Sequence, residues 1–101
     1  MTIGKVIGTV VCTQKSVSLE GASLKLVQPL SPTELTAVGN PLVAVDAVGA
    51  GRHELVLLAA GSSARQTAVT TNTPCDAVIM AIVDNVEVHG NEVFRKGEGE
   101  V

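Results

Sequence analysis

From Ile3 to Thr13 the chain alternates. Gly4, Val6, Gly8, Val10 and Cys12 fall on one face, and Lys5, Thr9 and Thr13 on the other. Period-two alternation predicts a half-buried strand, and the glycines within it permit sharp coiling. Ala22 to Gln28 alternates as well; its pattern places Leu24 and Leu26 inward and Ser23 and Lys25 outward. Leu42–Val48 and Leu55–Ala60 are nearly continuous apolar runs, too short for ordinary helices, and are predicted as strands covered on both sides. A last candidate strand runs from Ala77 to Val88. Val78, Met80, Ile82, Val86 and Val88 share a face with Asp84, while the opposite face carries Ala77, Ile79, Ala81 and Val83 before turning polar at Asn85 and Glu87. Half of this strand is apolar on both faces, which suggests that one face meets something other than the chain's own core, most simply a second copy.

Turn chemistry separates these segments, at "LEG" (19–21), "QPLSP" (28–32), "GNP" (39–41), "GAG" (49–51), "GSS" (61–63), "NTP" (72–74) and "HGN" (89–91). Helix is scarce. Ser62 or Ser63 is placed to cap one turn through Ala64, Arg65 and Gln66, and "SPTEL" (31–35) is a candidate for another. The expected fold is all-β: a small five-stranded barrel of the oligonucleotide-binding (OB) type with one short helix between the fourth and fifth strands. Residues 1–95 form a single domain, and "KGEGEV" (96–101) reads as a flexible, solvated C-terminal tail.

Composition sharpens this picture. The 101 residues are 46% hydrophobic, yet Phe94 is the only aromatic. Seventeen valines and eleven alanines supply most of the apolar mass. Such side chains suit pleated surfaces but bury little area apiece, so a monomer of this size has a thin core and self-association would relieve it. The net charge is −3 and the seven Lys and Arg residues are dispersed, so neither nucleic acid nor an anionic membrane finds an electrostatic footprint. OB folds that bind single strands rely on aromatic platforms and a basic groove, and this chain has neither. No apolar run approaches the ~20 residues that span a bilayer, and the N-terminus lacks a signal-peptide pattern; the expectation is a soluble, cytoplasmic protein. Cys12 and Cys75 show no CxxC spacing and read as buried reduced thiols, with a single disulfide as the alternative.

The stretch "DAVGAGRHELVLLAAGSSAR" (46–65) holds most of the residues that suggest chemistry. "VGAG" offers only part of a dinucleotide fingerprint and is followed by a predicted strand where the pyrophosphate-binding helix would stand. Ser62 and Ser63 lack the GxSxG elbow, and nothing fixes His53 or His89 as a base. The two histidines and two cysteines lack metal-ligand spacing and are read as surface turn residues and apolar thiols. Asp46, Asp76 and Asp84 are better explained as turn residues or partners of an amide or arginine than as acid–base pairs. The residues thus indicate no catalytic set, no metal and no cofactor.

Four blocks, "GKVIGTVVCTQK" (4–15), "LEGASLKLV" (19–27), the stretch 46–65 and "PCDAVIMAIVDNVEV" (74–88), together resemble the EutN/CcmL family, the pentameric vertex proteins of bacterial microcompartments and carboxysomes. The resemblance implies an OB-like barrel that assembles as a cyclic homopentamer. Such pentamers would cap the vertices of a shell tiled by hexameric and trimeric shell proteins, close it and set its curvature. On this reading Gly49, Ala50 and Gly51 approach the five-fold axis; Arg52 and His53 stand where many members of the family carry smaller residues, and either form a charged collar about any opening or are simply exposed to solvent. Gly61, Ser62, Ser63, Arg65 and Asp84 are assigned to the subunit interface, with an intrachain bond tying the short helix to the barrel as the alternative for Arg65. The protein would be a non-enzymatic component of a cytoplasmic shell. A small-ligand- or nucleotide-binding OB module without catalytic activity is the alternative from another class.

Overall fold

A computed structural model of the chain describes residues 1–13, 21–60 and 77–97. Its elements are β1 (Thr2–Val10), β2 (Leu24–Pro29), β3 (Leu42–Asp46), β4 (Leu55–Ala60), β5 (Ala77–Ile82), β6 (Asn85–Val88) and β7 (Asn91–Arg95). The first five close into a barrel in the order β1-β2-β3-β5-β4, and β6 and β7 form a separate two-stranded sheet. All neighbours in the barrel are antiparallel except β3 and β5, which pair in parallel through Val45↔Val78 and Asp46↔Ile79. The five-stranded barrel is the expected one. The short helix proposed at 62–66 lies outside the described residues. "SPTEL" closes a single turn, with the Leu35 amide donating to the Ser31 carbonyl, and ends there because Leu35 takes a left-handed φ of 56°.

Val6, Val27, Ala44, Val56, Leu58 and Ile79 fill the barrel. The filling is close around Gly4, where a Cβ would lie 2.6 Å from Val27 Cγ1 and 3.2 Å from Leu58 Cδ1. A second layer, Val45, Ala59 and Val78 with Leu24 and Met80, packs on the outer side of the same strands. β4 is therefore covered on both faces from Leu55 to Ala59, whereas β3 is so covered only from Ala44 to Asp46: Val43 is 49% exposed, short of what its continuous apolar run suggests.

Two sequence-based expectations are corrected. On β2 the inward residues are Val27 and Lys25: Val27 is 0% exposed, and Lys25 stands opposite Ala44 on the barrel's inner side. Leu24 and Leu26 face outward. Alternation fixes which residues share a face only while the register holds: on β1 it shifts between Val6 and Gly8, so Gly8 and Val10 pair with the outward Leu26 and Leu24 while Val6 pairs with the buried Val27, and the expected single apolar face of β1 is split. Closure of the barrel chooses which face is inside, and here the inward charge has a carboxylate to meet. The second correction concerns residues 77–88. The strand breaks after Ile82, the Val83 amide donates to the Leu55 carbonyl, and the chain leaves the barrel at Asp84. Asp and Asn are poor strand residues, which marks the break at Asp84-Asn85. β6 and β7 then form a hairpin through a two-residue turn in which His89 and Gly90 both have positive φ, the geometry that matches the twist of the flanking strands. Within this single chain Ala77, Val78 and Ile79 are buried, whereas Met80, Ala81, Ile82 and Val83 are half-buried. Lys96, the first residue of the expected tail, is tied back to the barrel, and 98–101 lie outside the described residues.

Candidate functional site

The turn between β3 and β4 is organised by two carboxylates. Asp46, at the end of β3, is the one buried charged residue among those described. Its Oδ1 accepts from the amides of Val48 (3.0 Å) and Gly49 (2.9 Å), and its Oδ2 from the amide of Ala50 (2.8 Å) and from Lys25 Nζ (2.8 Å). Lys25 Nζ also donates to the Ala50 carbonyl at 3.0 Å. An aspartate that binds the backbone ahead of it is the usual start of such a turn, and Gly49, at φ 78°, provides the left-handed residue that lets the amides converge. Ala50 is 2% exposed; its methyl lies in the barrel core, so it closes one end of the barrel.

Glu54 organises the other half of the turn. Its Oε1 accepts from the Gly51 amide and its Oε2 pairs with Lys96 Nζ at 2.7 Å. Its own amide donates to the Gly51 carbonyl, and its carbonyl accepts from Val6. The His53 amide donates to the Val6 carbonyl at 2.7 Å, so His53 and Glu54 prolong the β1–β4 ladder beyond β4. This fixes the backbone of His53 at a φ of 74°, a conformation uncommon for a residue with a Cβ.

The electrostatics follow from these contacts. Burial by itself raises the Asp46 pKa, but the Lys25 hydrogen bond, the Val48 and Gly49 amides and the Lys25 charge outweigh it, and the carboxyl is held below its usual range. Glu54 is lowered chiefly by its hydrogen bond to Lys96 and next by the Gly51 amide, against a smaller opposing effect of burial. Both carboxylates are thus committed to cations and amides of the fold itself. No group of three or more His, Cys, Asp or Glu residues suited to hold a metal occurs among the described residues.

Of the residues singled out from the sequence, Gly49, Ala50, Gly51, Arg52 and His53 are brought together in this turn, with Gly51, Arg52 and His53 exposed. Asp84 is exposed where the hairpin leaves the barrel, and its carbonyl accepts from the Lys96 amide, so Lys96 links it to Glu54. Gly61, Ser62, Ser63, Arg65, Asp76 and Cys75 lie outside the described residues; Cys12 is half-buried. His53 and His89 both occupy exposed turns. Sequence reasoning missed the Lys25–Asp46 pair and the Glu54–Lys96 pair. An aspartate directly ahead of "AVGAG" is a legible sign of the first, whereas nothing local signals the second.

The family model described as "Ethanolamine utilisation protein EutN/carboxysome" matches residues 1–84. This chain belongs to the EutN/CcmL family. It is 47% identical over 87 residues to the bacterial microcompartment shell vertex protein GrpN of Rhodospirillum rubrum, covering 86% of this chain and 97% of GrpN. It is 42% identical over 100 residues to the carboxysome shell vertex protein CcmL of Gloeobacter violaceus, covering 95% of each. The Gloeobacter CcmL structure superposes on this EutN/CcmL chain with a TM-score of 0.89 over 95% of this chain and 98% of that one, at 41% identity. The R. rubrum GrpN structure, a pentameric microcompartment shell protein, superposes with a TM-score of 0.78 over 87% and 99%, at 46% identity.

Proposed function

We propose that this EutN/CcmL chain is a structural vertex protein of a bacterial microcompartment, a homopentamer that caps the shell's vertices, closes it and sets its curvature. The observation that carries the proposal is the end-to-end match to vertex proteins, with a barrel that superposes on a pentameric shell protein at 46% identity. Its place is then the shell of a microcompartment in the cytoplasm, and its partners are hexameric and trimeric shell proteins. The role is mechanical and needs neither cofactor nor catalytic group. Both carboxylates of the β3–β4 turn are occupied in holding that turn, in keeping with a part whose task is shape. The ligand-binding alternative drawn from the OB-like barrel has no comparable support and is set aside.

Within the pentamer we assign the turn to the axis. The exposed backbone of Gly49 and Gly51 would approach the five-fold centre, where larger side chains from five copies would collide, and Arg52 and His53 would form the collar. The Ala50 methyl faces the core, so its part at the axis is played by its backbone. Asp84, together with Gly61, Ser62, Ser63 and Arg65, is assigned to the subunit boundary. Size-exclusion chromatography with light scattering tests the assembly: a mass of five chains supports it, and a monomer at all concentrations refutes it. Native mass spectrometry of Arg65→Ala tests the boundary assignment, which fails if that variant remains pentameric with unchanged stability.

A further inference from the structure

Glu54 is shared between the barrel and the hairpin. Its Oε1 accepts from the Gly51 amide at 2.6 Å, inside the β3–β4 turn, and its Oε2 holds Lys96 Nζ at 2.7 Å, at the base of the β6–β7 hairpin. The turn depends on the first bond. Residues 51–54 are closed by the Glu54 amide, which donates to the Gly51 carbonyl at 3.2 Å, and His53 stands third among them at a φ of 74°. That position favours glycine, so a histidine there is held at a conformational cost. Glycine at 51 leaves the carboxylate its place, because a Cβ there would lie 3.2 Å from Oε1. The hairpin depends on the second bond. β6 and β7 pair with each other and not with the barrel, and a two-stranded sheet of four and five residues is marginal by itself in water. Its entry is tied at Val83, whose amide donates to the Leu55 carbonyl; its exit is tied at Lys96, whose amide donates to the Asp84 carbonyl and whose ammonium meets Glu54.

We infer that Glu54 is a latch that couples the β6–β7 hairpin to the β3–β4 turn, so that the two order and loosen together. A carboxylate already fixed by Lys96 offers its other oxygen to the Gly51 amide without a further loss of rotamer freedom, and the reverse holds equally. The coupling is therefore reciprocal. It is also weak enough to open: the Lys96 side chain is 45% exposed and that of Glu54 21%, and ion pairs so open to water are modest and screened by salt. On opening, the carboxylate turns to solvent, the Gly51 amide loses its acceptor and His53 is released from its left-handed conformation. The family match ends at residue 84 and the hairpin begins at Asn85, so the latch lets an element beyond the shared span act on a turn inside it. A contact that lifts the hairpin loosens the turn. With the turn at the five-fold axis, as assigned above, the hairpin sets the order at the centre of the ring; the coupling itself belongs to each chain and stands or falls without that assignment.

The test is amide hydrogen exchange of the full chain, with quench-flow labelling to reach weakly protected amides and fragmentation to single residues in the mass spectrometer. Wild type, Lys96→Met, Glu54→Gln and the double variant are compared, with far-UV circular dichroism to check folding. Glu54→Gln keeps an oxygen for the Gly51 amide but offers Lys96 no charge. Lys96→Met is expected to speed exchange about two- to fivefold, the range an exposed ion pair supports, both across 85–95 and at Gly51, although residue 96 touches neither the Gly51 amide nor its carbonyl. Val56 and Val78, in the barrel core, should keep their wild-type rates. The double variant should exchange no faster than the faster single one, since both changes open the same latch. Acceleration confined to the hairpin or to the turn, acceleration of neither, or an additive double variant overturns the inference. Should a variant not fold, wild type alone decides: raising salt from about 0.05 to 1 M must speed exchange in the hairpin and at Gly51 together, relative to Val78. A hairpin that responds without Gly51, or no response at either, overturns the coupling.

Discussion

Asp46→Asn isolates what holds the β3–β4 turn. The amide side chain keeps one oxygen for the Val48 and Gly49 amides but turns an NH2 group toward the Ala50 amide and Lys25 Nζ, which both donate to Oδ2 at 2.8 Å in the wild type. The Ala50 amide is buried, and losing its acceptor costs about 1–3 kcal/mol. The Asp46 side chain is 1% exposed and that of Lys25 14%, so the ammonium is left largely desolvated without its counter-charge; breaking a buried pair typically costs about 3–5 kcal/mol in all. The expected loss is therefore about 3 kcal/mol, a large share of the roughly 5–15 kcal/mol that holds a typical domain. The assay is urea unfolding followed by far-UV circular dichroism, since the chain has neither Trp nor Tyr. Wild type and variant must be compared at one subunit concentration, because assembly adds to apparent stability. Lys25→Met alone should cost less, because Asp46 keeps its three amides, and the double variant should recover at least about 1 kcal/mol relative to the sum of the single changes. A loss below about 1 kcal/mol for Asp46→Asn, or strict additivity with Lys25→Met, would refute the view that this buried pair organises the turn.

Other outcomes follow from the same contacts. Asp46 and Glu54 have lowered pKa values in the fold, so each contributes stability that is fully present above its ordinary carboxylate value and is lost as pH falls through its folded value. Acid unfolding should thus begin below about pH 4, with Asp46→Asn flattening the profile; a stability that rises on acidification would contradict this. Gly4→Ala forces a methyl to within 2.6 Å of Val27 Cγ1 and should destabilise by about 1–3 kcal/mol, whereas at Gly8 the nearest atom is 3.8 Å away and alanine should change stability by less than about 0.5 kcal/mol; thermal midpoints distinguish the two. His53→Gly removes the side-chain penalty of a left-handed residue and should raise stability by about 0.5–1 kcal/mol, while His53→Val should lower it by about 1–2 kcal/mol. A valine variant as stable as wild type would show that the turn does not hold its backbone in that conformation.

Much of this protein was legible in its sequence because the relevant physics is local. The strand character of β1, the apolar runs of β3 and β4, and punctuation such as "GNP" and "HGN" depend on side-chain period and turn chemistry within a few residues, and they yielded a valine-rich barrel; the bulge after Val6, which turns Gly8 and Val10 to the other face, left no such local sign. The resemblance of four ordered blocks yielded the family. Folding decided what depends on residues distant in the chain. Period two cannot say which face of β2 is inside; that waits on barrel closure, which buries Val27 against Val6 and brings Lys25 to Asp46. Nor can it say that the apolar faces of Ala77, Val78 and Ile79 are met within the chain while Ile7 and Val43 are not, because exposure is a property of neighbours and is absent from any single segment. The Glu54–Lys96 pair belongs to the same class: two ordinary surface residues become partners only because the β6–β7 hairpin returns the chain to the mouth of the barrel.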